Sequence, residues 1–177
     1  MIRINAVRFA QKNRTGQPWD EPGHDEPLLL VAVMSFALDR RLAADTLPIG
    51  DLALSRALLM NDARYPWLIL VPRRLGLSEI VELAAQDRAA LIEEIAAASA
   101  FLRALPGVDK LNVGALGNVV KQLHVHVLGR AIGDSAWPGP VWGAGEARPY
   151  ESGVAEALIA RARDALIGTA KPAPKTA

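Results

Sequence analysis

The chain has 177 residues, of which 51% are apolar and 22% charged, with a net charge of +1; that is enough for one domain with a sizeable core and too little for two ordinary ones. So even a balance gives no ground for wide binding of a nucleic-acid duplex, which needs a basic face, and the absence of cysteine excludes disulfides and thiolate chemistry. No apolar run approaches the roughly 20 residues that span a bilayer, so a soluble protein without a membrane partner is expected, compatible with a reducing cytoplasm.

In chain order, residues 1–27 read as an irregular N-terminal arm. Its second half, from Gln11, carries Asn13, Gly16, Pro18, Pro22, Gly23 and Pro27 among charged groups. A domain over 28–168 follows. Leu28 to Phe36 reads as a buried strand and Asp39 to Asp51 as turn-rich, while Ala53 to Met60 and Trp67 to Pro72 read as two strands joined by a polar turn. The continuously apolar Trp67-Leu68-Ile69-Leu70-Val71 predicts a central strand covered on both faces. Ser78 is placed to cap a helix with Glu79 and Glu82 in its first turn. The apolar series Leu91, Ile95, Ala98, Leu102, Leu105 then carries that helix to Pro106-Gly107.

Two further strands are expected, from Lys110 to Ala115 and from about Lys121 to Arg130, paired antiparallel across a turn at Gly117-Asn118. The run Ala136 to Gly143, with Trp137 and Trp142 among prolines and glycines, reads as a rigid irregular loop. A helix from Ser152 to Ile167 shows Ala155, Leu158, Ile159, Ala162 and Leu166 on one face. Residues 169–177 read as a disordered tail. The fold class expected is α+β: an antiparallel sheet of about five strands, a long helix packed on it and a C-terminal helix.

Chemistry concentrates in Gln122-Leu123-His124-Val125-His126-Val127-Leu128, which holds two of the chain's three histidines. On a strand, alternate residues share a face, so Gln122, His124 and His126 line one surface and Leu123, Val125 and Val127 the other. Upstream, Asn112 to Asn118 is small and amide-rich, with Gly117 able to bring backbone N–H groups close to a ligand. Three uses fit the histidine row: half-buried structural polar groups; a metal site, for which a carboxylate would have to supply a third ligand; or nucleophilic catalysis at phosphorus, one imidazole attacking and the other serving the leaving group.

Asn112 through Arg130, together with Leu59 to Arg73 (LMNDARYPWLILVPR), resembles the histidine triad (HIT) superfamily, whose signature is His-x-His-x-His followed by two apolar residues; the likeness extends over about residues 50 to 130. The resemblance implies that His124, at the middle position, is the nucleophile that forms a nucleotidyl-histidine, held in the right tautomer by a backbone carbonyl such as that of Gln122. It implies that His126 serves the phosphates and leaving group. Asn61 corresponds to a ribose contact, Asn112 to an amide near the phosphates, and Gly117 and Asn118 to a close approach beside them.

It further implies a homodimer and no cofactor or metal in the catalytic apparatus. Gln122 stands where the first histidine is expected, and Trp67 where many members carry an upstream histidine. Glutamine cannot become a cation or transfer a proton. The expected function is therefore hydrolysis or transfer at a nucleoside 5′-phosphate derivative, of dinucleoside polyphosphate or phosphoramidate type, the alternative being a catalytically impaired nucleotide-binding or interaction protein.

Outside the resemblance, Asn61-Asp62 reads as a turn, Arg73-Arg74 and Glu93-Glu94 as solvated surface, and Trp137 and Trp142 as anchors of their loop in preference to walls of a base pocket.

Overall fold

The computed structural model describes residues 36–168. The N-terminal arm, most of the strand expected from Leu28 to Phe36, and the tail lie outside the described residues. Element order is α1 (Arg40–Asp45), β1 (Thr46–Asp51), β2 (Ser55–Met60), β3 (Trp67–Pro72), a 3-10 turn (Ile80–Glu82), α2 (Ala85–Arg103), β4 (Lys110–Gly114), β5 (Val125–Arg130) and α3 (Val154–Leu166). The strands form one antiparallel sheet in the order β1-β2-β3-β5-β4. The α+β class with five strands and a long helix is as expected, but the strand that opens the sheet is Thr46–Asp51, in the segment read as turns. Pro48 and Gly50 disguise it: at a sheet edge the missing N–H of proline costs no ladder bond, and the register shifts between these two residues.

β3 is buried at every position because both of its faces are covered. Leu68 and Leu70 meet Ala98, Phe101 and Leu102 of α2 and Ala155 and Ala162 of α3 in one cluster. Trp67, Ile69 and Val71 face the opposite layer with Leu42, Leu58, Tyr65, Leu128 and Val141. A continuous apolar run is what such two-sided burial requires. The pairing of β3 with β5 sets Ile69 opposite His126 and Trp67 opposite Leu128.

Two helix details differ from the sequence reading. Ser78 does not cap the long helix. The Glu82 carboxylate accepts hydrogen bonds from the Ser78 and Glu79 backbone N–H groups at 2.7 and 2.9 Å, closing a separate turn. Leu83 is then extended, and its side chain joins Leu54, Leu91, Leu123 and Val125 in a third cluster, so α2 starts only at Ala85. Glu94 is also not on a solvated face. It is buried, and its carboxylate accepts from the backbone N–H groups of Leu54 (2.7 Å) and Ser55 (3.1 Å), the donors where the chain enters β2. A buried N–H without an acceptor costs about 1–3 kcal/mol. Glu94→Ala should therefore lower unfolding stability by about 2–4 kcal/mol in urea titrations, with Glu94→Gln recovering part of the loss; a loss of Glu94→Ala below about 0.5 kcal/mol would contradict the role assigned to this carboxylate.

Candidate functional site

β5 begins at Val125, so Gln122, at a bend, and His124 precede the strand and only His126 lies within it. The alternation of faces persists nonetheless. Leu123 and Val125 enter the third apolar cluster, whereas His124 and His126 both line a cavity of about 380 Å³, within the size range of small-molecule sites. Gly117 and Asn118 line it from the β4–β5 loop, Met60, Asp62, Arg64 and Trp67 from β2, β3 and their connection, and Val141, Trp142 and Gly143 from the loop after β5. Gly117 sits at φ +67°, a left-handed conformation that favours glycine.

The two imidazoles are 4.9 Å apart between centroids with planes at 78°. His124 Nδ1 lies 2.6 Å from the backbone carbonyl oxygen of Gln122. A carbonyl only accepts, so Nδ1 carries a proton, and in the neutral tautomer Nε2 has the free lone pair. His126 Nδ1 is 3.0 Å from Trp67 Nε1, whose indole N–H donates to it. Trp67 sits diagonally across the β3–β5 ladder from His126, a spacing that long side chains bridge. Trp142 packs edge-on against both, 6.1 Å from the Trp67 ring and 5.7 Å from His126.

Two guanidinium groups hold the loop that presents Trp142. Arg130, 2% exposed, donates to both carboxylate oxygens of Asp134 (2.6 and 2.8 Å), to Asn112 Oδ1 (3.0 Å) and to the Gly139 carbonyl (2.9 Å). The rings of Tyr65 and Trp137 lie within 6 Å of the same guanidinium. Farther along, Arg64 pairs with Asp62 at 2.6 Å and donates to the Ala144 carbonyl at 2.7 Å, while Asp62 accepts from the Arg148 N–H. Burial alone would push the Asp62 carboxyl up, but the Arg64 guanidinium and the Arg148 and Arg64 N–H groups outweigh it and hold it below the usual range.

Of the residues singled out in sequence, His124, His126, Gly117 and Asn118 meet in the cavity; Asn61, Asn112 and Gln122 are not among its lining residues. Asn61 Oδ1 accepts from the Tyr150 N–H (3.1 Å), and Asn112 bonds Arg130 and the Leu111 carbonyl. The Gln122 amide brackets the chain before α1, accepting from Asp39 N–H and donating to the Ala37 carbonyl, each at 2.8 Å. Its main chain, not its side chain, serves the histidine row. Arg74 pairs with Asp87, and Arg73 donates to the Leu52 and Ala53 carbonyls. Trp137 is exposed and meets the Arg130 guanidinium at 5.7 Å, but Trp142 is a wall of the cavity, as are Asp62 and Arg64; only the aromatic loop signalled any of these in sequence. Among the described residues, no group of three or more His, Cys, Asp or Glu side chains is placed to hold a metal ion.

Burial pushes the His126 imidazole down to about 4, with the neighbouring His124 adding to the shift. The unfolded imidazole titrates near 6.5, so between pH 6.5 and 4 the unfolded chain takes up a proton that the folded chain refuses. The stability this residue contributes is whole above pH 6.5 and declines by about 3 kcal/mol as the pH falls to 4. Denaturant titrations between pH 7 and 5 should show a shallower loss of stability in His126→Gln than in the parent; parallel curves would contradict the shift.

The sequence and geometry have known relatives. The HIT domain family matches residues 41–132. A histidine triad protein of Sinorhizobium meliloti is 49% identical over 74% of this chain and 97% of its own, with a TM-score of 0.72. One from Bradyrhizobium japonicum is 44% identical, covering 75% of this chain and 98% of its own, and one from Marinobacter aquaeolei is 46% identical, covering 75% and 96%; both have TM-scores of 0.72. No curated protein matches. On the family match and on these closely similar structures, the chain belongs to the histidine triad (HIT) superfamily.

Proposed function

We propose that this HIT-family protein is a nucleotidyl hydrolase or transferase acting on nucleoside 5′-phosphate derivatives, of the dinucleoside polyphosphate or phosphoramidate type, through a covalent intermediate on His124. The observation that carries this reading is the short contact of His124 Nδ1 with the Gln122 carbonyl, on a histidine that lines the cavity. In the neutral ring it places the lone pair on Nε2, the form a nucleophile requires.

In the first half-reaction the Nε2 lone pair forms a P–N bond to the α-phosphorus. The bond from phosphorus to the leaving group breaks, and its electron pair departs with that group. The Nδ1–H on the Gln122 carbonyl stabilises the positive charge that appears on the ring. In the second half-reaction water attacks phosphorus, the P–N pair returns to Nε2, and the proton of the water passes to solvent. His126 donates from Nε2 to the phosphate oxygens. Gly117 and Asn118 offer a backbone approach and an amide beside them. Trp142, Met60 and Val141 supply apolar surface for the base. Asn61, Asn112 and Gln122 support the ligand through the backbone they hold. No metal or other cofactor has a step in this scheme.

The test is the mass of the intact protein, quenched after brief mixing with diadenosine tetraphosphate or adenosine 5′-phosphoramidate. An adenylyl adduct is expected in the parent and not in His124→Ala, whose turnover should fall at least about 1,000-fold. Nucleotide binding without adduct or product would support a binding module instead. Zinc retained stoichiometrically and lost in His124→Ala would favour a metal centre.

A homodimer is proposed as well, formed through β4. This strand closes one edge of the sheet and leaves Val113 half exposed, and unpaired edges of this kind template pairing with a second copy. Light scattering of the parent should give twice the chain mass, and Val113→Lys should shift it toward the monomer; a monomeric parent at micromolar concentration would dismiss the proposal. Cytoplasmic operation is part of the same reading.

A further inference from the structure

The geometry points to Trp67 as the residue that decides which leaving groups this site can expel: by donating to His126 it makes that histidine a hydrogen-bond donor that cannot act as a general acid. The inference rests on the nucleotidyl-transfer reading above and narrows it to phosphoanhydrides.

An indole N–H donates and never accepts. With Trp67 Nε1 at 3.0 Å from His126 Nδ1, the Nδ1 lone pair is occupied and the single ring proton sits on Nε2. A second proton would have to enter Nδ1 directly against the indole N–H, in a position 8% exposed. The rings around it are Trp67, His124 and Trp142, at 5.4, 4.9 and 5.7 Å between centroids. None is an anion. Among the described residues, the one carboxylate lining the cavity, Asp62, is spent on Arg64 and two backbone N–H groups. None of the described residues there compensates an imidazolium.

A neutral imidazole can surrender its Nε2 proton only by becoming an imidazolate, which does not form near neutral pH. His126 therefore stabilises negative charge on the phosphates by hydrogen bonding and transfers no proton. The other proton-bearing groups on the cavity are no better placed. The Arg64 guanidinium stays charged and is engaged with Asp62 and Ala144, the His124 Nδ1–H is held by Gln122, and the Asn118 amide and the indoles are not acids in water. Bond breaking must then produce a group that is stable as it departs. A phosphate or nucleotide oxygen leaving from an anhydride meets this condition, its negative charge spread over phosphoryl oxygens. An amine leaving from a phosphoramidate, or an alkoxide leaving from an alkyl ester, needs a proton in the transition state. Acid assistance of that kind contributes about 100- to 10,000-fold to rate.

Two measurements test this together. The first compares single-turnover adenylylation of His124 by diadenosine tetraphosphate and by adenosine 5′-phosphoramidate, in the parent and in Trp67→Phe, which keeps an aromatic ring and removes the donor. The anhydride should react at least about 100-fold faster in the parent. In Trp67→Phe, where Nδ1 is released and His126 becomes protonatable, that preference should shrink about tenfold or more, and the phosphoramidate rate should gain a dependence on pH that the parent lacks. The second is the nitrogen NMR signature of His126 in the parent, which should show Nδ1 unprotonated and Nε2 protonated from pH 8 to 6; this does not depend on any variant folding. Equal rates on the two substrates, a preference unchanged in Trp67→Phe, or a His126 protonated at Nδ1 would each overturn the inference. If the NMR signature holds but neither substrate forms an adduct, the hydrolase reading fails and the leaving-group rule with it, while the hold of Trp67 on His126 stands.

Discussion

The register between β3 and β5 is the constraint on which the remainder of the molecule depends. Setting Ile69 against His126 sends Leu68, Leu70 and Val127 to the helices and Trp67, Ile69 and Leu128 to the opposite layer. A slip of one residue would exchange the faces, driving His126 into an aliphatic core and exposing Val127 in its place. The register is therefore held by far more apolar surface than the site itself contains. The contact between Trp67 and His126 is a by-product of it: two residues on adjacent strands of a fully buried ladder, close enough for an indole to reach an imidazole. The site borrows its rigidity from the core without a dedicated scaffold.

The opposite wall is held differently. The loop from residue 131 to 148 has no regular helix or strand, and it stays in place because buried or half-buried guanidinium groups satisfy its carbonyls and carboxylates at two points, Arg130 near its start and Arg64 near its end. A buried ion pair of this kind is indifferent evidence of net stability, yet removing one partner costs about 3–5 kcal/mol because the other is stranded. Such pairs specify one conformation more than they stabilise it. One wall of the cavity is thus set by strand pairing and the other by ionic hydrogen bonds, and each fails by a different route: loss of core packing for the first, loss of a charge partner for the second.

Much of this was legible in the chain. The apolar run at Trp67 to Val71, the helical spacing from Leu91 to Leu102 and the alternation around His124 and His126 are local patterns; the first two matched their elements, and the third gave the faces while the strand itself starts only at Val125. What escaped depended on partners distant in sequence. Thr46 to Asp51 looked like turns because Pro48 suits a strand only at an edge or bulge and Gly50 sits where the register shifts and Ile167 approaches closely, and both are properties of topology. Glu94 looked like surface because its two acceptor oxygens meet backbone donors 39 and 40 residues away. Asn61 and Asn112 took their ligand roles from the family resemblance and Gln122 from its place in the histidine row; an amide serves backbone as readily, and in the structure each of the three bonds main chain. Trp142 joined the site through a loop whose path is set by Arg130 and Arg64, neither of which advertises that role in sequence.

Gln122 acts in two directions at once. Its carbonyl orients the ring of His124, and its amide clamps Ala37 and Asp39 from both sides. The segment from Ala37 to Asp39 is in this way linked to the tautomer of His124 through a single residue. A histidine at this position would keep the first connection, which is main chain, and alter the second, since the donor and acceptor nitrogens of a neutral imidazole point apart, whereas the oxygen and nitrogen of an amide lie side by side at the end of a longer side chain. The departure from the triad is in that sense an exchange: one ionisable group is given up, and the segment before α1 is tethered to the histidine pair.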